Sequence, residues 1–276
     1  MAEAARFFER GWVRFARDPA IAEWARKALP VAEGCLADPG HRERWLRCGG
    51  TWFAGVNVFP NDATGAVPGG WNGGVPPLAG APVSFAASAL GLSGLAWDPA
   101  QVSVCFPGYP RPWEGESEAA FRFRRDRDAA HVDGLLRFDG RRRCLGEVHG
   151  FILGLPLDDA PAEAAPLVVW EGSHEIMRDA FRARLAGLPP ERWAAEDVTE
   201  AYLAARRAAL ERCRRVPVHA RPGEAYMLHR LVLHGVAPWA AGDDGAAGCG
   251  AARRMIVYFR PDPFPGAPPG WWLGRP

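Results

Sequence analysis

From residue 101 onward the chain is written in short apolar runs of strand length. QVSVCF, AAFRFR, AAHVDGLL, LGEVHGFILGLPL, PLVVW, GEAYMLHRLVLHG and RRMIVYF follow one another, each bounded by Gly, Pro or Asp. Runs punctuated in this way predict β-strands, and their number and spacing predict a mainly β fold of the jelly-roll kind, a sandwich or barrel. One block interrupts the series. Residues 175 to 215 carry a helical period, with Val198, Tyr202, Ala205 and Ala209 on one face and Asp197 three places before Glu200 as a cap. Near the N-terminus, Phe8, Trp12 and Phe15, then Ile21, Trp24, Ala25 and Ala28 after the Asp-Pro break at 18 and 19, predict two flanking helices. Residues 49 to 95 are dense in Gly and Pro with interleaved aromatics, which predicts irregular loop with short strands. The expected organisation is one domain over 1–276: N-terminal helices and loops over 1–95, a jelly-roll core over 96–260 with a helical insertion at 175–215, and a Pro-rich tail over 261–276.

Composition narrows the partners. A chain of 276 residues that is 48% hydrophobic is long enough to bury one large core. With 33 basic against 32 acidic residues it has no overall field to draw it onto nucleic acid or a membrane, so a small-molecule partner is expected. Lys27 is the sole lysine, so the abundance of arginine reflects composition and says little about function. The opening MAEAARFFERGWVRFARD is charged throughout, and no run approaches the roughly 20 apolar residues of a membrane span, so a cytoplasmic protein is expected. Six cysteines (35, 48, 105, 144, 213 and 249) form no CxxC pair, which predicts reduced, structural thiols.

Candidate chemistry starts at DAAHVDGLL, residues 128 to 136. In a strand, alternate side chains share a face, so His131 and Asp133 are expected to point together into the barrel. An HxD arises by chance roughly 0.4 times in a chain of this composition, so the pair needs a third ligand. His234, in LHRLVLHGVAPW, supplies it from a later strand. Two histidines and one carboxylate on one face, with the other positions open, suit non-haem Fe(II) chemistry with dioxygen; a zinc hydrolase is the chemical rival.

Several stretches in order then resemble the phytanoyl-CoA dioxygenase-like branch of the Fe(II)/2-oxoglutarate-dependent oxygenases. His131-Val132-Asp133 matches its HxD, and PLVVWEGSHEI at 166 to 176 is similar to its "PL, strand, PGSH" segment, with Trp170-Glu171 where the proline usually stands. RPGEAYMLHRLVLHG at 221 to 235 resembles its "PGD, strand, HG" segment, RRMIVYF its arginine-led strand, and FFERGWVRF at 7 to 15 its opening. The resemblance implies a double-stranded β-helix (jelly roll, cupin-like) core, Fe(II) on His131, Asp133 and His234, and 2-oxoglutarate and O2 as cosubstrates. It also implies hydroxylation of a small metabolite with release of succinate and CO2, and an arginine that takes the far carboxylate of 2-oxoglutarate. Arg253 and Arg254 both stand at the start of the last strand. Alternation lets one face inward: Arg253 with Met255, Val257 and Phe259, or Arg254 with Ile256, Tyr258 and Arg260. GVAPWAAGDDGAAGCGAA separates His234 from this pair where the family has a shorter polar run, which leaves Arg125 or Arg260 as other sources of the cation and a cupin-like metal or ligand binder as an alternative function. Asp133 fills the position that related halogenases vacate for chloride.

Of the other histidines, His229 competes with His234 as the distal ligand, with a hydrogen-bonded core role as its default. His174 is expected to stabilise a turn, and His149 to share a strand face with Glu147 and Phe151, either approaching cosubstrate or substrate or serving as a satisfied core histidine. The run RFRRDRD at 122 to 128 reads as a solvated, mutually paired edge. TWFAGVNVFPND at 51 to 62, with Trp71 and Asn72, is a candidate roof over a substrate, and 175 to 215 a candidate lid.

Overall fold

The computed structural model describes residues 2–69, 74–140, 142–242, 252–264, 267 and 269–274. Its strands are β1 Trp12–Phe15, β2 Leu46–Arg47, β3 Trp52–Phe53, β4 Gln101–Cys105, β5 Leu135–Phe138, β6 Arg142–Leu145, β7 Phe151–Pro156, β8 Leu167–Trp170, β9 Arg215–Val218, β10 Ala225–His229, β11 His234–Val236 and β12 Arg254–Phe259. Its helices are α1 Ala2–Arg10, α2 Pro19–Ala37, α3 Pro39–Trp45, α4 Ala81–Ala89, α5 Glu118–Asp126, α6 Ser173–Leu185, α7 Thr199–Arg212 and α8 Pro269–Leu273, with a 3-10 turn at Pro190–Ala195. Among the described residues no helix is long and apolar enough to cross a membrane.

The fold is mainly antiparallel sheet with flanking helices, and its core is a double-stranded β-helix. A seven-stranded sheet runs β1-β10-β7-β12-β4-β3-β2 and a three-stranded sheet runs β11-β8-β9. An antiparallel bridge from His131 to His234 adds one more rung beside β11. Along the chain, β4 lies in the large sheet, His131 beside the small one, β7 in the large, β8 and β9 in the small, β10 in the large, β11 in the small and β12 in the large. This alternation winds one chain through two facing sheets.

Side-chain alternation in β12 explains how the sheets stack. Met255, Val257 and Phe259 are fully buried with Trp24, Phe85 and Met227 in a core under α2 and α4. Ile256 and Tyr258 face the other way, with Ile152, Leu167, Val169 and Leu228 between the two sheets. Each fully buried side chain of this size stabilises the fold by roughly 1.5 to 3 kcal/mol. A third core joins α6 and α7 through Phe181, Leu185, Val198, Tyr202, Ala205 and Ala209, with Trp272 of α8. The predicted face of α7 is therefore the buried one. Asp197 serves its start by accepting from Thr199 N at 2.9 Å.

Three expectations change. AAFRFR is helix α5, because Ser117 caps it by accepting from Ala120 N at 3.3 Å and Glu118 follows in the first turn; these helix signals outweigh the Phe-Arg alternation. Trp12 and Phe15 are on strand β1, paired with β10, and not on a helix. Gly11, with φ 81°, ends α1 before them, and a Cβ there would lie 2.6 Å from the His174 ring. AAHVDGLL contributes only the single bridge at His131 before turning at Asp133 and Gly134 into β5. The loop expectation for 49 to 95 is met in part, with α4 added. Asp18 ties that helix in: its carboxylate caps α2 through Ala20 N at 2.8 Å and accepts from Ala81 N at 2.9 Å.

Candidate metal centre and its cavity

His131 and His234 are held as neighbours by two main-chain hydrogen bonds, His131 N to His234 O at 2.8 Å and His234 N to His131 O at 3.0 Å. The approach is close enough that a Cβ on Gly235 would sit 2.1 Å from the Asp128 carbonyl oxygen, which accepts from Val236 N. Asp128 and Ala129 enter this rung with φ of 53° and 54°. A two-pronged bond from Arg215 to Asp128, 2.8 Å on each arm, holds the bend. On the other side, Gly134 at φ 82° turns the chain away beneath Glu147, whose carbonyl oxygen would be 2.5 Å from any Cβ. The glycines of HVDG and HG are thus required by backbone approach, a signal visible in the sequence but unused there.

The imidazoles are oriented by their second nitrogens. His131 Nδ1 pairs with the Ala129 carbonyl at 2.9 Å and His234 Nδ1 with the Val232 carbonyl at 3.0 Å. Both Nδ1 atoms must carry hydrogen, so Nε2 of each ring, on the side facing Asp133, is the nitrogen left to a metal. Asp133 Oδ1 lies 3.2 Å from His131 Nε2 and 3.7 Å from His234 Nε2. One ligand atom from each of the three residues falls within a 4.8 Å cluster, the donor set and spacing that a divalent cation takes. Burial alone would raise the Asp133 pKa, but Arg260, then His234 and His131, hold its carboxyl well below the usual carboxylate range. Burial pushes His234 down to about 4, so both groups stay in their ligating forms near neutrality.

The triad faces a cavity of about 1300 Å³. Trp52, Trp97, Tyr109, Tyr258 and Phe264 give it aromatic walls, and Gln101, Ser103, Arg124, Glu147, His149 and Arg260 supply polar groups. Arg124 is buried, paired with Glu116 and stacked 4.1 Å from the Trp113 ring centroid. Asp98, also in the wall, has its pKa pushed up by burial to about 6.

The arginine pair divides cleanly. Arg253 faces outward, bonded to Glu33 at 2.5 Å and Asp158 at 3.4 Å. Arg254 points to the opposite face of β12, is 5% exposed, and lines a small pocket with Tyr226 and Ile256 rather than the wall of the large cavity. One of its nitrogens donates to Cys105 Sγ at 3.3 Å, while Nε and Nη1 are buried with no hydrogen-bond partner among the described residues. A guanidinium in that state suits an anionic ligand that would take the free donors. Beside it, Tyr226 Oη donates to Tyr258 Oη at 2.9 Å.

Other expectations resolve as follows. His229 turns away from the triad: it is 1% exposed, with Arg178 at 3.1 Å on Nε2 and Leu231 N donating to Nδ1 at 3.0 Å. His174 bonds the distant Phe8 carbonyl at 3.0 Å and not a local turn; Ser173 beside it accepts from Leu233 N at 2.8 Å. His149 lies in the turn before β7, off any strand, with Glu147 at 3.0 Å. In RFRRDRD, Arg125 and Asp126 form the exposed pair expected, whereas Arg124 is inside. Trp52 and Asn57 line the cavity while Phe53 belongs to the core. Trp71, Asn72 and Cys249 lie outside the described residues. Arg260, expected only as another source of the cosubstrate cation on the Arg254 face, instead donates its Nε to Asp133 Oδ2 at 2.5 Å.

No family model matches the chain, and no curated protein matches it. Solved structures with a similar course include the non-heme alpha-ketoglutarate-dependent carbocyclase SnoK from nogalamycin biosynthesis, 13% identical over 94% of this chain and 82% of that one, TM-score 0.49. AviO1 from Streptomyces viridochromogenes is 15% identical over 97% and 96%, TM-score 0.48. Iron-bound EctD from S. alaskensis is 16% identical over 94% and 75%, TM-score 0.45. At these identities the chemistry has to be read from the side chains themselves.

Proposed function

We propose that the protein is an Fe(II)- and 2-oxoglutarate-dependent oxygenase that hydroxylates a small-molecule metabolite, in the phytanoyl-CoA dioxygenase-like branch its motifs resemble. The observation that carries this is the convergence of His131, Asp133 and His234 on one face of a large cavity. Three protein ligands with the remaining positions open suit a metal that must also take cosubstrate and dioxygen. The two histidines present Nε2 because backbone carbonyls occupy Nδ1, and Asp133 stays ionised at neutral pH. Arg254, on the β12 face that carries Tyr258 and Arg260 to the cavity, would supply a fixed positive charge with free donors for the far carboxylate of 2-oxoglutarate. When bound, iron would bring together 2-oxoglutarate and dioxygen, the oxidant, whose one atom would go to the metabolite as the new hydroxyl and the other to succinate as 2-oxoglutarate loses CO2. Aromatic walls and the polar groups above the triad would bind and orient the metabolite and exclude bulk water.

A zinc hydrolase could use the same triad, but a buried Arg254 with two nitrogens unsatisfied among the described residues has no task in activating a zinc-bound water. The reading is tested by screening metabolites for stimulated conversion of 2-oxoglutarate to succinate. A compound that raises turnover in the parent protein and not in the Asp133→Ala variant supports it. Iron-independent hydrolysis with no succinate from any compound would replace it with the zinc reading.

A further inference from the structure

Arg260 stands one residue beyond β12, and the contact it makes with Asp133 separates the two carboxylate oxygens. Oδ2 accepts from Arg260 Nε at 2.5 Å. Oδ1 faces His131 Nε2 at 3.2 Å and His234 Nε2 at 3.7 Å. The arginine is itself fixed. Its backbone N donates to Asp98 Oδ1 at 2.7 Å, its guanidinium carbon lies 5.7 Å from the Tyr258 ring centroid, and its side chain is 22% exposed. A planar guanidinium carries its donors in a fixed fork, unlike a lysine on a flexible stem.

We propose that Arg260 is a positioning residue that sets how Asp133 meets a metal: by retaining Oδ2 it limits the carboxylate to one ligating oxygen, Oδ1, and keeps a coordination position open for an incoming ligand. A carboxylate bound to a divalent cation takes either one or two positions according to what else holds its oxygens. A second oxygen on the metal would use a position that a chelating cosubstrate needs. Partners that orient ligating side chains in this manner commonly alter metal affinity by about 10- to 100-fold. The proposal rests on the metal site described under Proposed function.

The test uses the full chain with Co(II) as probe, since its d–d absorption reports coordination without turnover. The parent is compared with Arg260→Leu, Arg260→Lys and Asp133→Ala, with circular dichroism confirming the fold. Arg260→Leu, with Oδ2 free to reach the metal and a neighbouring cation removed, is expected to bind Co(II) at least as tightly as the parent, to show altered d–d bands, and to lose the spectral response that 2-oxoglutarate produces in the parent. Arg260→Lys, which keeps the charge and loses the fixed geometry, should fall between. A purely structural arginine would lower the melting temperature of the metal-free protein and leave the Co(II) spectrum unchanged. If Arg260→Leu does not fold, the same readouts are taken on Arg260→Gln, whose neutral amide should produce a smaller change in the same direction. A folded variant that keeps the parent's d–d bands and its full response to 2-oxoglutarate would overturn the proposal, because Arg260 would then only neutralise Asp133 in the metal-free protein. Equal Co(II) binding by the parent and Asp133→Ala would instead overturn the metal site itself.

Discussion

Replacing Arg254 with methionine separates two roles that one buried cation can have. In the protein without cosubstrate, Arg254 is 5% exposed and two of its nitrogens have no partner among the described residues. Exchanging such a group for an apolar side chain of similar length is neutral or stabilising in most proteins. Arg254→Met should therefore leave the melting temperature of the free protein unchanged or raise it. Binding behaves oppositely. Removing one partner of a buried charge pair costs about 2 to 5 kcal/mol, so affinity for 2-oxoglutarate should fall roughly thirtyfold or more. At a 2-oxoglutarate concentration about 100 times the parent Kd, ligand binding stabilises the parent by about 2.7 kcal/mol, and a thirtyfold weaker variant by about 0.9 kcal/mol. For a chain near this size each kcal/mol moves the midpoint by roughly 2 to 4 °C. Differential scanning fluorimetry with a metal present should thus show a shift of roughly 5 to 10 °C in the parent and roughly 2 to 4 °C in the variant. Arg253→Ala, whose partners are Glu33 and Asp158, should keep the full shift, with affinity changed by less than about threefold. A full shift in Arg254→Met, or equal losses in both variants, would refute the assignment of the cosubstrate cation.

The remaining expectations concern the triad and the buried histidines. His131→Ala, Asp133→Ala and His234→Ala should each abolish metal loading measured by atomic absorption while the far-UV spectrum is kept, since these side chains converge on the cavity and not in a packed core. His229→Ala should retain metal loading and lose roughly 2 to 4 kcal/mol in urea titrations, because it empties a buried site and leaves Leu231 N without its acceptor. Burial lowers the pKa of His174 and holds that of His229, which also faces Arg230, His174 and Arg178, well below 6.5. The unfolded chain therefore takes up protons that the native protein refuses. Stability is full above pH about 6.5 and should fall below it at up to about 1.4 kcal/mol per pH unit for each of these histidines, with a shallower slope in His229→Asn. Gly235→Ala, which would press a Cβ against the Asp128 carbonyl oxygen, should weaken metal binding about tenfold or more in the same assay by displacing His234.

The jelly roll was legible because buried strands announce themselves. RRMIVYF and PLVVW are apolar on both faces and bounded by breakers, and they became β12 and β8. Local capping was less visible: AAFRFR alternates like a strand, yet Ser117 and Glu118 just before it decide for helix α5. His131, Asp133 and His234 were legible as residue types in order. Their meeting depends on a single bridge held by the positive-φ bend at Asp128 and Ala129, which no periodicity reveals. Alternation narrowed the arginines to two alternatives, and the choice was made by long-range partners, Glu33 for Arg253 and Cys105 for Arg254. Arg260 on Asp133 is a contact across 127 residues, so sequence spacing could place it on the right face but not on its partner.

The central claim is that the triad and Arg254 together hold iron and 2-oxoglutarate. It is tested most directly by adding Fe(II) and then 2-oxoglutarate to the protein without oxygen and recording the visible spectrum. A weak charge-transfer band should develop in the parent and be absent from Asp133→Ala, and Arg254→Met should require far more 2-oxoglutarate to reach it. No band in the parent, with Zn(II) bound equally well and 2-oxoglutarate leaving the protein unaffected, would contradict the account, since d¹⁰ zinc gives no such transition.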